Sequence, residues 1–129
     1  MTLLLDTHVL LWAIYQPARI PENWVTRLVD RGNQVFFSAA SIWEIAIKAS
    51  LERPDFIHDA QRTLQLARQT GFAELPVSSE AALRVRHLPW HRRDPFDRLL
   101  IAQAQQMPAR LLTADSQLPV YSELVELIA

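Results

Sequence analysis

The sequence predicts an α/β fold, in which a mainly parallel sheet of four or five strands is covered by helices on both faces. Apolar runs of strand length alternate with longer segments of helical periodicity, and this alternation is typical of parallel sheets. The runs are apolar without a break, as expected for strands buried on both faces. The chain has 129 residues and is 50% hydrophobic, which suits one compact domain spanning residues 1–129.

Two strands and two helices are predicted in the first 38 residues. Residues 2–5 (TLLL) form a first buried strand, and the helix after it stops at Pro17. A second helix begins at Glu22, and its apolar side chains are expected on one stripe: Trp24, Val25, Leu28 and Val29. The Gly-Asn pair at 32–33 is expected to end this helix. Residues 34–38 (QVFFS) form the second buried strand.

The rest of the chain predicts four more helices and three more strands. A third helix is capped by Ser38 or Ser41 and ends before Pro54. An amphipathic helix, HDAQRTLQLARQTG, ends at Gly71, and AELPV is a short third strand. A fifth helix lies in SSEAALRVRHL, and a sixth, DPFDRLLIAQA, runs to about Met107. The fourth strand is ARLLTAD, and VELIA is predicted as the fifth.

Composition excludes several classes of site. The chain has no cysteine, which excludes disulfides and thiolate metal ligands and fits a reducing, cytoplasmic location. Two glycines are too few for a glycine-rich phosphate loop. A net charge of -1 gives no overall attraction to nucleic acid, so such a site would need a local basic patch. Asp6 and His8 interrupt the apolar N-terminal segment, which is therefore predicted to be neither signal peptide nor membrane span.

Four acidic residues fall at one predicted edge of the sheet. Asp6 directly follows the first strand, and Asp115 closes the fourth. Glu44 lies in the first turns of the helix after the second strand, and Asp97 lies in the first turn of the helix that leads into the fourth strand. Because carboxyl ends of parallel strands and the starts of their helices share an edge, these side chains are expected to converge where ligands of such folds bind.

Clustered carboxylates favour a bound cation. Like charges a few ångströms apart raise each other's pKa unless a cation neutralises them. A ligand set of hard oxygen atoms suits Mg²⁺ or Mn²⁺. A metal-bound water with a lowered pKa is a nucleophile, and the metal stabilises charge on a phosphoryl oxygen. The pattern therefore points to metal-assisted hydrolysis of phosphodiesters.

Each of the four acids also has a purely structural interpretation. Asp6 could cap the first helix, and Asp115 in TADSQL could be a turn residue. Asp97 is the third residue of a helix for which Asp94 is the expected N-cap, and an acid there favours the helix dipole. Glu44 could lie on an exposed helix face. The joint placement at one edge, and no single residue, is what favours a metal site.

Four segments of this sequence are similar, in order and spacing, to the PIN-domain family, and most of all to VapC-type toxins of bacterial toxin–antitoxin pairs. These segments are LLLDTHVLLW, SAASIWEIAIK, DPFDRLLIAQA and LLTADSQL. The resemblance covers residues 2 to about 128 and implies a three-layer α/β/α fold and a Mg²⁺- or Mn²⁺-dependent ribonuclease. By motif position it implies the same catalytic and metal-binding acids: Asp6, Glu44, Asp97 and Asp115.

Three residues beside these acids are accessory candidates by position, and the resemblance implies partners. Thr113 and Ser116 flank the last acid and could orient it or a water, and Asp94 lies one turn before Asp97. The implied partners are an RNA substrate, a VapB-like antitoxin whose C-terminal segment blocks the acidic groove, and a second copy of the chain. Two departures occur. The segment KASLERPD lacks an expected glycine, which puts its turn in doubt, and Arg92 stands where relatives often have histidine.

A basic segment leads into the helix of Asp97. RVRHLPWHRR, residues 84–93, holds four arginines, two histidines and a tryptophan. Arg92 and Arg93 suit phosphate contacts, Trp90 suits stacking on a base, and Lys48 is a further candidate RNA contact. The alternative is a solvated helix face and loop, with Trp90 packed in the core. That the nucleic acid is RNA comes from the resemblance, since the residues themselves do not separate RNA from DNA.

Two other functions compete with the nuclease. Asp6 after the first strand could be the nucleophile of an aspartyl-phosphate phosphatase. Phosphatases of that kind usually carry a second acid two residues later, where this chain has His8, and a lysine near the later acids, whereas Lys48 is the sole lysine. The third candidate is a module without catalytic activity that binds a partner and keeps Mg²⁺ for structure.

Overall fold

The sheet has five strands, all of them parallel, in the order β3-β2-β1-β4-β5. The computed structural model describes residues 1–51 and 54–129. The strands are β1 (Thr2–Leu5), β2 (Gln34–Ser38), β3 (Ala73–Leu75), β4 (Arg110–Thr113) and β5 (Val125–Leu127). The predicted parallel sheet is therefore confirmed, with the fifth strand present at one edge.

Two α-helices lie between β1 and β2, between β2 and β3, and between β3 and β4, whereas a short 3-10 helix lies between β4 and β5. The α-helices are α1 (Thr7–Tyr15), α2 (Glu22–Val29), α3 (Ala39–Ser50), α4 (Ala60–Thr70), α5 (Ser79–Arg84) and α6 (Pro95–Gln106). Three short 3-10 helices are Pro17–Arg19, Val85–His87 and Pro119–Tyr121. Within the described part of the chain, none of the helices has the length and apolar character that a membrane crossing requires.

Side chains alternate across the sheet and build two cores. Leu3 and Leu5 pack with residues of α1, α2 and α4 on one face. Leu4, between them, packs on the other face with Leu100 and Ile101 of α6. All five of these leucines and isoleucines are essentially inaccessible to solvent, as expected for central strands with a helical layer on each side. This is the three-layer α/β/α sandwich that the sequence predicts.

Helix α2 is shorter than predicted, and fewer of its apolar side chains are buried than the predicted apolar stripe contains. It ends at Val29, because Asp30 has an extended backbone and its carboxylate accepts a hydrogen bond from the Gly32 amide (2.8 Å). This local turn competes with continuation of the helix to Gly32. Of the residues predicted on one stripe, Trp24 is buried, whereas Val29 is 73% exposed, so only part of the stripe packs against the core.

Helix α3 begins at a buried serine that also ties the sheet to α6. Ser38 is the N-cap, and its hydroxyl accepts a hydrogen bond from the Ala40 amide (3.0 Å) and donates one to Gln103 Oε1 (2.6 Å). Of the two predicted caps, Ser38 is therefore the one used, and Ser41 lies inside the helix. Residues 52 and 53 of the segment that lacks the expected glycine lie outside the described residues.

Replacement of Ser38 by alanine is expected to lower the free energy of unfolding by about 1–3 kcal/mol, because it removes a helix cap and leaves the buried Gln103 carbonyl oxygen without its donor. Urea unfolding measures this loss. The matched control is Ser78→Ala at the exposed N-cap of α5, which should cost about 1 kcal/mol or less. Equal losses in both variants would contradict the role assigned to the bond with Gln103.

Candidate functional site

Asp6 lies at the carboxyl end of the central strand. It follows β1, its amide donates to the carbonyl of Leu112 in β4 (3.0 Å), and its carboxylate accepts from the Val9 amide (2.8 Å) as the N-cap of α1. The side chain is only 4% exposed. Asp6 is therefore a helix cap, as its structural interpretation required. It is also buried between β1 and β4, where the chain leaves β1 toward β2 on one side and leaves β4 toward β5 on the other. Ligands of open α/β sheets bind at such switch points.

Burial raises the pKa of Asp6 above its ordinary value. Desolvation is the main cause, and hydrogen bonds from Thr113 and from the Val9 amide oppose it. Glu44 raises the pKa further by charge repulsion. Thr113, predicted to orient a site group, is fully buried beside Asp6, and its hydroxyl accepts from the Asp115 amide (3.0 Å). The ionised form of Asp6 is therefore disfavoured by burial, and a nearby cation would stabilise it.

Glu44 is buried in α3 and held from two sides. One carboxylate oxygen accepts from the Thr7 hydroxyl (2.7 Å), and the other lies 2.6 Å from the Lys48 ammonium. Thr7 Oγ1 also lies 2.9 Å from the Ser41 hydroxyl. Glu44 is only 5% exposed, so the alternative of an exposed helix face is wrong. The contacts with Thr7 link this acid of α3 to the start of α1, next to Asp6.

The two aspartates at the start of α6, Asp94 and Asp97, have different structural roles. Asp94 is the N-cap, and its Oδ1 accepts from the amides of Phe96 (2.9 Å) and Asp97 (3.3 Å). Asp97 lies in the first turn, and its side chain is free of this capping role and turns toward the other acids. The capping prediction for Asp94 is confirmed.

The pKa of Asp97 is raised from its usual value near 3.8 to about 7. Desolvation is the largest cause, followed by repulsion from Asp94. Arg92 lowers the pKa, and the charges of Asp6 and Glu44 raise it again. The ion pair with Arg92 therefore only partly offsets burial and three neighbouring carboxylates. Asp6 and Glu44 thus lie close enough to Asp97 to raise its pKa, and Glu44 raises the pKa of Asp6, as convergence at one edge predicts.

Arg92 bridges the last two acids. Its Nε lies 3.2 Å from Asp97, and its Nη1 lies 2.5 Å from Asp115. The same Nη1 donates to the side-chain carbonyl of Gln117 (3.0 Å), while the Gln117 amide donates to Asp115 (2.9 Å). Asp115 is therefore both a turn residue and a neighbour of Asp97. Arg92, predicted as an RNA contact, is paired with carboxylates.

The donor set suits a hard divalent cation, although its arrangement is not that of a finished metal site. Within residues 1–51 and 54–129, no group of three or more His, Asp or Glu side chains is arranged to hold a metal ion. Burial and neighbouring acids raise the pKa values of Asp6 and Asp97, so an added positive charge would favour their ionised forms. Mg²⁺ and Mn²⁺ prefer oxygen ligands, and either ion would reduce the repulsion among these carboxylates. The chemical type of the side chains therefore suits either ion.

Comparison with known proteins identifies the family. The PIN-domain family model matches residues 3–124, nearly the whole chain. The chain belongs to the PIN-domain family. Members of this family are generally nucleases that use divalent metal ions, which agrees with the acidic edge.

Solved structures of similar fold include a toxin–antitoxin complex. The chain matches 13 chains of solved structures. One is in the crystal structure of VapBC2 from Rickettsia felis bound to a DNA fragment from its promoter, with a TM-score of 0.73, 17% identity and coverage of 98% of each chain. This similarity shows a common fold. No curated protein sequence matches the chain.

Arg98 is a residue of this PIN domain that sequence reasoning missed. It is 2% exposed, and its guanidinium donates to the backbone carbonyls of Val85 (3.0 Å), Leu88 (3.1 Å) and Pro89 (2.7 Å). It thereby fixes the loop that carries the basic segment. Thr7 was missed as well. The signal for Arg98 was an arginine in the apolar run of α6, one residue after Asp97.

The remaining candidates lie around the acids in different environments. Trp90 is 76% exposed, so its packing in the core is excluded, and its ring covers the guanidinium of Arg98 at 4.0 Å. Arg93 and Ser116 are both exposed. Lys48 pairs with Glu44 and also lines a pocket of about 310 Å³ with His8, Leu11, Asp55, Phe56 and His58. A larger pocket of about 460 Å³ is lined by none of the four acids.

The raised pKa of Asp97 predicts that the PIN domain in EDTA loses stability as pH rises from about 5 to 8. The folded state binds this proton more tightly than the unfolded chain, so the stability is present at low pH and is lost as pH rises toward the folded-state pKa of about 7. Asp97→Asn removes this loss, and at pH of about 8 it should stabilise the protein by about 2 kcal/mol.

Urea unfolding at both pH values tests this expectation. The control is Asp59→Asn, which makes the same chemical change at the exposed N-cap of α4 and should keep the wild-type pH dependence. A lower stability of Asp97→Asn at both pH values would mean that Asp97 serves mainly the structure of the helix start.

Proposed function

We propose that this protein is a Mg²⁺- or Mn²⁺-dependent endoribonuclease and the VapC-type toxin of a type II toxin–antitoxin pair. One observation carries the proposal: four carboxylates from separate segments lie at the carboxyl edge of the sheet, and burial and neighbouring acids raise the pKa values of two of them, Asp6 and Asp97. A purely structural role would not require so much negative charge at one place. The family is one of nucleases, and the resemblance to its motifs implies the same four acids.

Asp6, Glu44, Asp97 and Asp115 are proposed to hold the metal. The ion would supply positive charge for the phosphoryl oxygens and lower the pKa of a bound water. Asp6 is fixed by its hydrogen bond with the Val9 amide, and Glu44 by Thr7 and Lys48. These contacts orient both buried carboxylates before any ligand arrives, which lowers the cost of organising the site. Thr113 supports Asp6 from β4. Asp94 and Ser116 remain accessory candidates.

The basic segment, residues 84–93, is the proposed contact with RNA. Trp90 presents an exposed ring that is backed by Arg98, an arrangement suited to stacking on an unpaired base. Arg93 is available for a phosphate at the start of α6. Lys48 stays a candidate contact, although its ammonium is engaged by Glu44 at 2.6 Å. Positive charge outside and acids inside would direct the RNA backbone toward the metal.

The proposed partners are a VapB-like antitoxin and a second copy of the chain. The similar structure from Rickettsia felis is of VapBC2 bound to promoter DNA, and its agreement over 98% of both chains supports an antitoxin partner here. Trp43 is 60% exposed on α3 and packs edge-on against Phe96, which gives an apolar patch near the site for protein contact. A cytoplasmic location is proposed, because RNA and antitoxin meet the toxin there.

Asp6→Asn and Asp97→Asn are each expected to reduce Mn²⁺-dependent cleavage of labelled structured RNA by roughly 100-fold or more, because each removes charge that holds the metal. Asp94→Asn should keep most activity, since asparagine also caps a helix. Initial rates of cleavage and growth arrest on expression measure these effects, and Asp59→Asn is the distant control.

Three outcomes separate the competing functions. RNA cleavage that persists unchanged in Asp6→Asn and Asp97→Asn would refute the metal-site assignment. Release of phosphate from small phosphomonoesters without cleavage of RNA would favour the aspartyl-phosphate phosphatase. Loss of partner binding or stability, with no hydrolase activity in any variant or in the wild type, would favour the module without catalytic activity.

Trp90→Ala is expected to raise the KM for RNA roughly tenfold at nearly unchanged kcat, because stacking on one base is worth about 1–3 kcal/mol. Trp90→Phe keeps an aromatic face and should stay within a few-fold of the wild type. The free energy of unfolding should fall by only about 1 kcal/mol, as the ring is exposed and loses one cation–π contact. An unchanged KM for Trp90→Ala would exclude this contact.

A further inference from the structure

Arg92 occupies the position of a counter-ion between two proposed metal ligands. One guanidinium contacts Asp97 through Nε at 3.2 Å and Asp115 through Nη1 at 2.5 Å. The Arg92 side chain is 32% exposed, so it lies at the rim of the site with a path to solvent. A two-pronged contact of this kind uses the planar fork of arginine, which a lysine could not reproduce.

We infer that Arg92 is an internal cation that competes with the divalent metal for Asp97 and Asp115, and that metal binding displaces it from these carboxylates. The inference rests on the proposed function and assigns a regulating residue to the same site. The guanidinium offsets part of the repulsion that these two carboxylates experience. In the described residues these two carboxylates face the guanidinium and are not arranged with a third acid as ready metal ligands.

The backbone of Arg92 is anchored independently of its side chain. Its carbonyl accepts hydrogen bonds from Tyr121 Oη (3.3 Å) and, more weakly, from Arg98 Nη1 (3.5 Å). Arg98 and Tyr121 are themselves buried. The side chain can therefore leave the acids by rotation about its own bonds while the loop stays in place. Once released at the rim, the guanidinium is positioned for a phosphate of the substrate.

Competition has a thermodynamic consequence that does not depend on catalysis. A ligand that must displace an internal cation binds more weakly by the free energy of the ion pairs that it breaks. Each part-exposed ion pair is worth a few-fold in an equilibrium constant. Removal of Arg92 should therefore raise metal affinity roughly tenfold, although it takes a candidate RNA contact from the protein.

Isothermal titration of the metal-free protein with Mn²⁺ tests the inference directly. Arg92→Gln should bind Mn²⁺ roughly tenfold more tightly than the wild type, and Arg92→Lys should lie between them because lysine can satisfy only one carboxylate. Arg93→Gln is the matched control: it removes the same charge from the neighbouring position and should leave Mn²⁺ affinity unchanged. In the wild type, Mg²⁺ should also shift the NMR signal of the Arg92 Nε–H group.

The outcomes distinguish this inference from the proposed function. Equal or weaker Mn²⁺ binding by Arg92→Gln overturns the inference alone, as does an equal gain in Arg93→Gln, which would reflect general charge. Absence of Mn²⁺ binding in all four proteins overturns both the inference and the metal-dependent function. If Arg92→Gln does not fold, as judged by circular dichroism, Arg92→Lys decides: an affinity no higher than that of the wild type refutes the competition.

Discussion

Burial of neighbouring carboxylates at the carboxyl end of β1 is the constraint on which the rest of the site depends. Asp6 and Glu44 are almost fully buried, and the pKa of Asp97 is raised to about 7 by desolvation and by its acidic neighbours. Such an arrangement is costly for folding. A protein keeps it when a ligand recovers the cost, and oxygen ligands at a switch point of an α/β sheet favour a divalent cation.

The chain offsets this cost with a few specific contacts. Lys48 neutralises Glu44 from the next turn of the same helix, and Thr7 donates a hydrogen bond to it from α1. Arg92 supplies positive charge to Asp97 and Asp115. The acids differ in exposure: the Glu44 side chain is 6% exposed, whereas those of Asp97 and Asp115 are 20% and 32% exposed.

One buried arginine, Arg98, holds the backbone of the basic segment in place. Arg98 projects from α6 into the loop, donates to four backbone carbonyls and lies under the ring of Trp90. Backbone carbonyls can satisfy a buried guanidinium without an acidic partner, which leaves the nearby carboxylates available for other cations. Arg98 extends from the packed helix α6 and contacts both the Trp90 ring and the Arg92 carbonyl. The proposed RNA surface is therefore positioned by a residue that is buried beside the hydrophobic core.

The sequence by itself determined the parallel sheet and the edge where the acids meet, because apolar runs and helix caps are local signals. The boundaries of β1 and β2 and the cap at Asp94 follow from such signals, and β4 and β5 lie within their predicted segments. Only the tertiary structure decided how each acid is paired, since contacts between distant segments have no local signature. It buried Glu44 against Thr7, exposed Trp90 and Val29, and turned Arg92 inward to Asp97 and Asp115. Burial and pairing set the charge state of the site, and these depend on the packing of the whole chain.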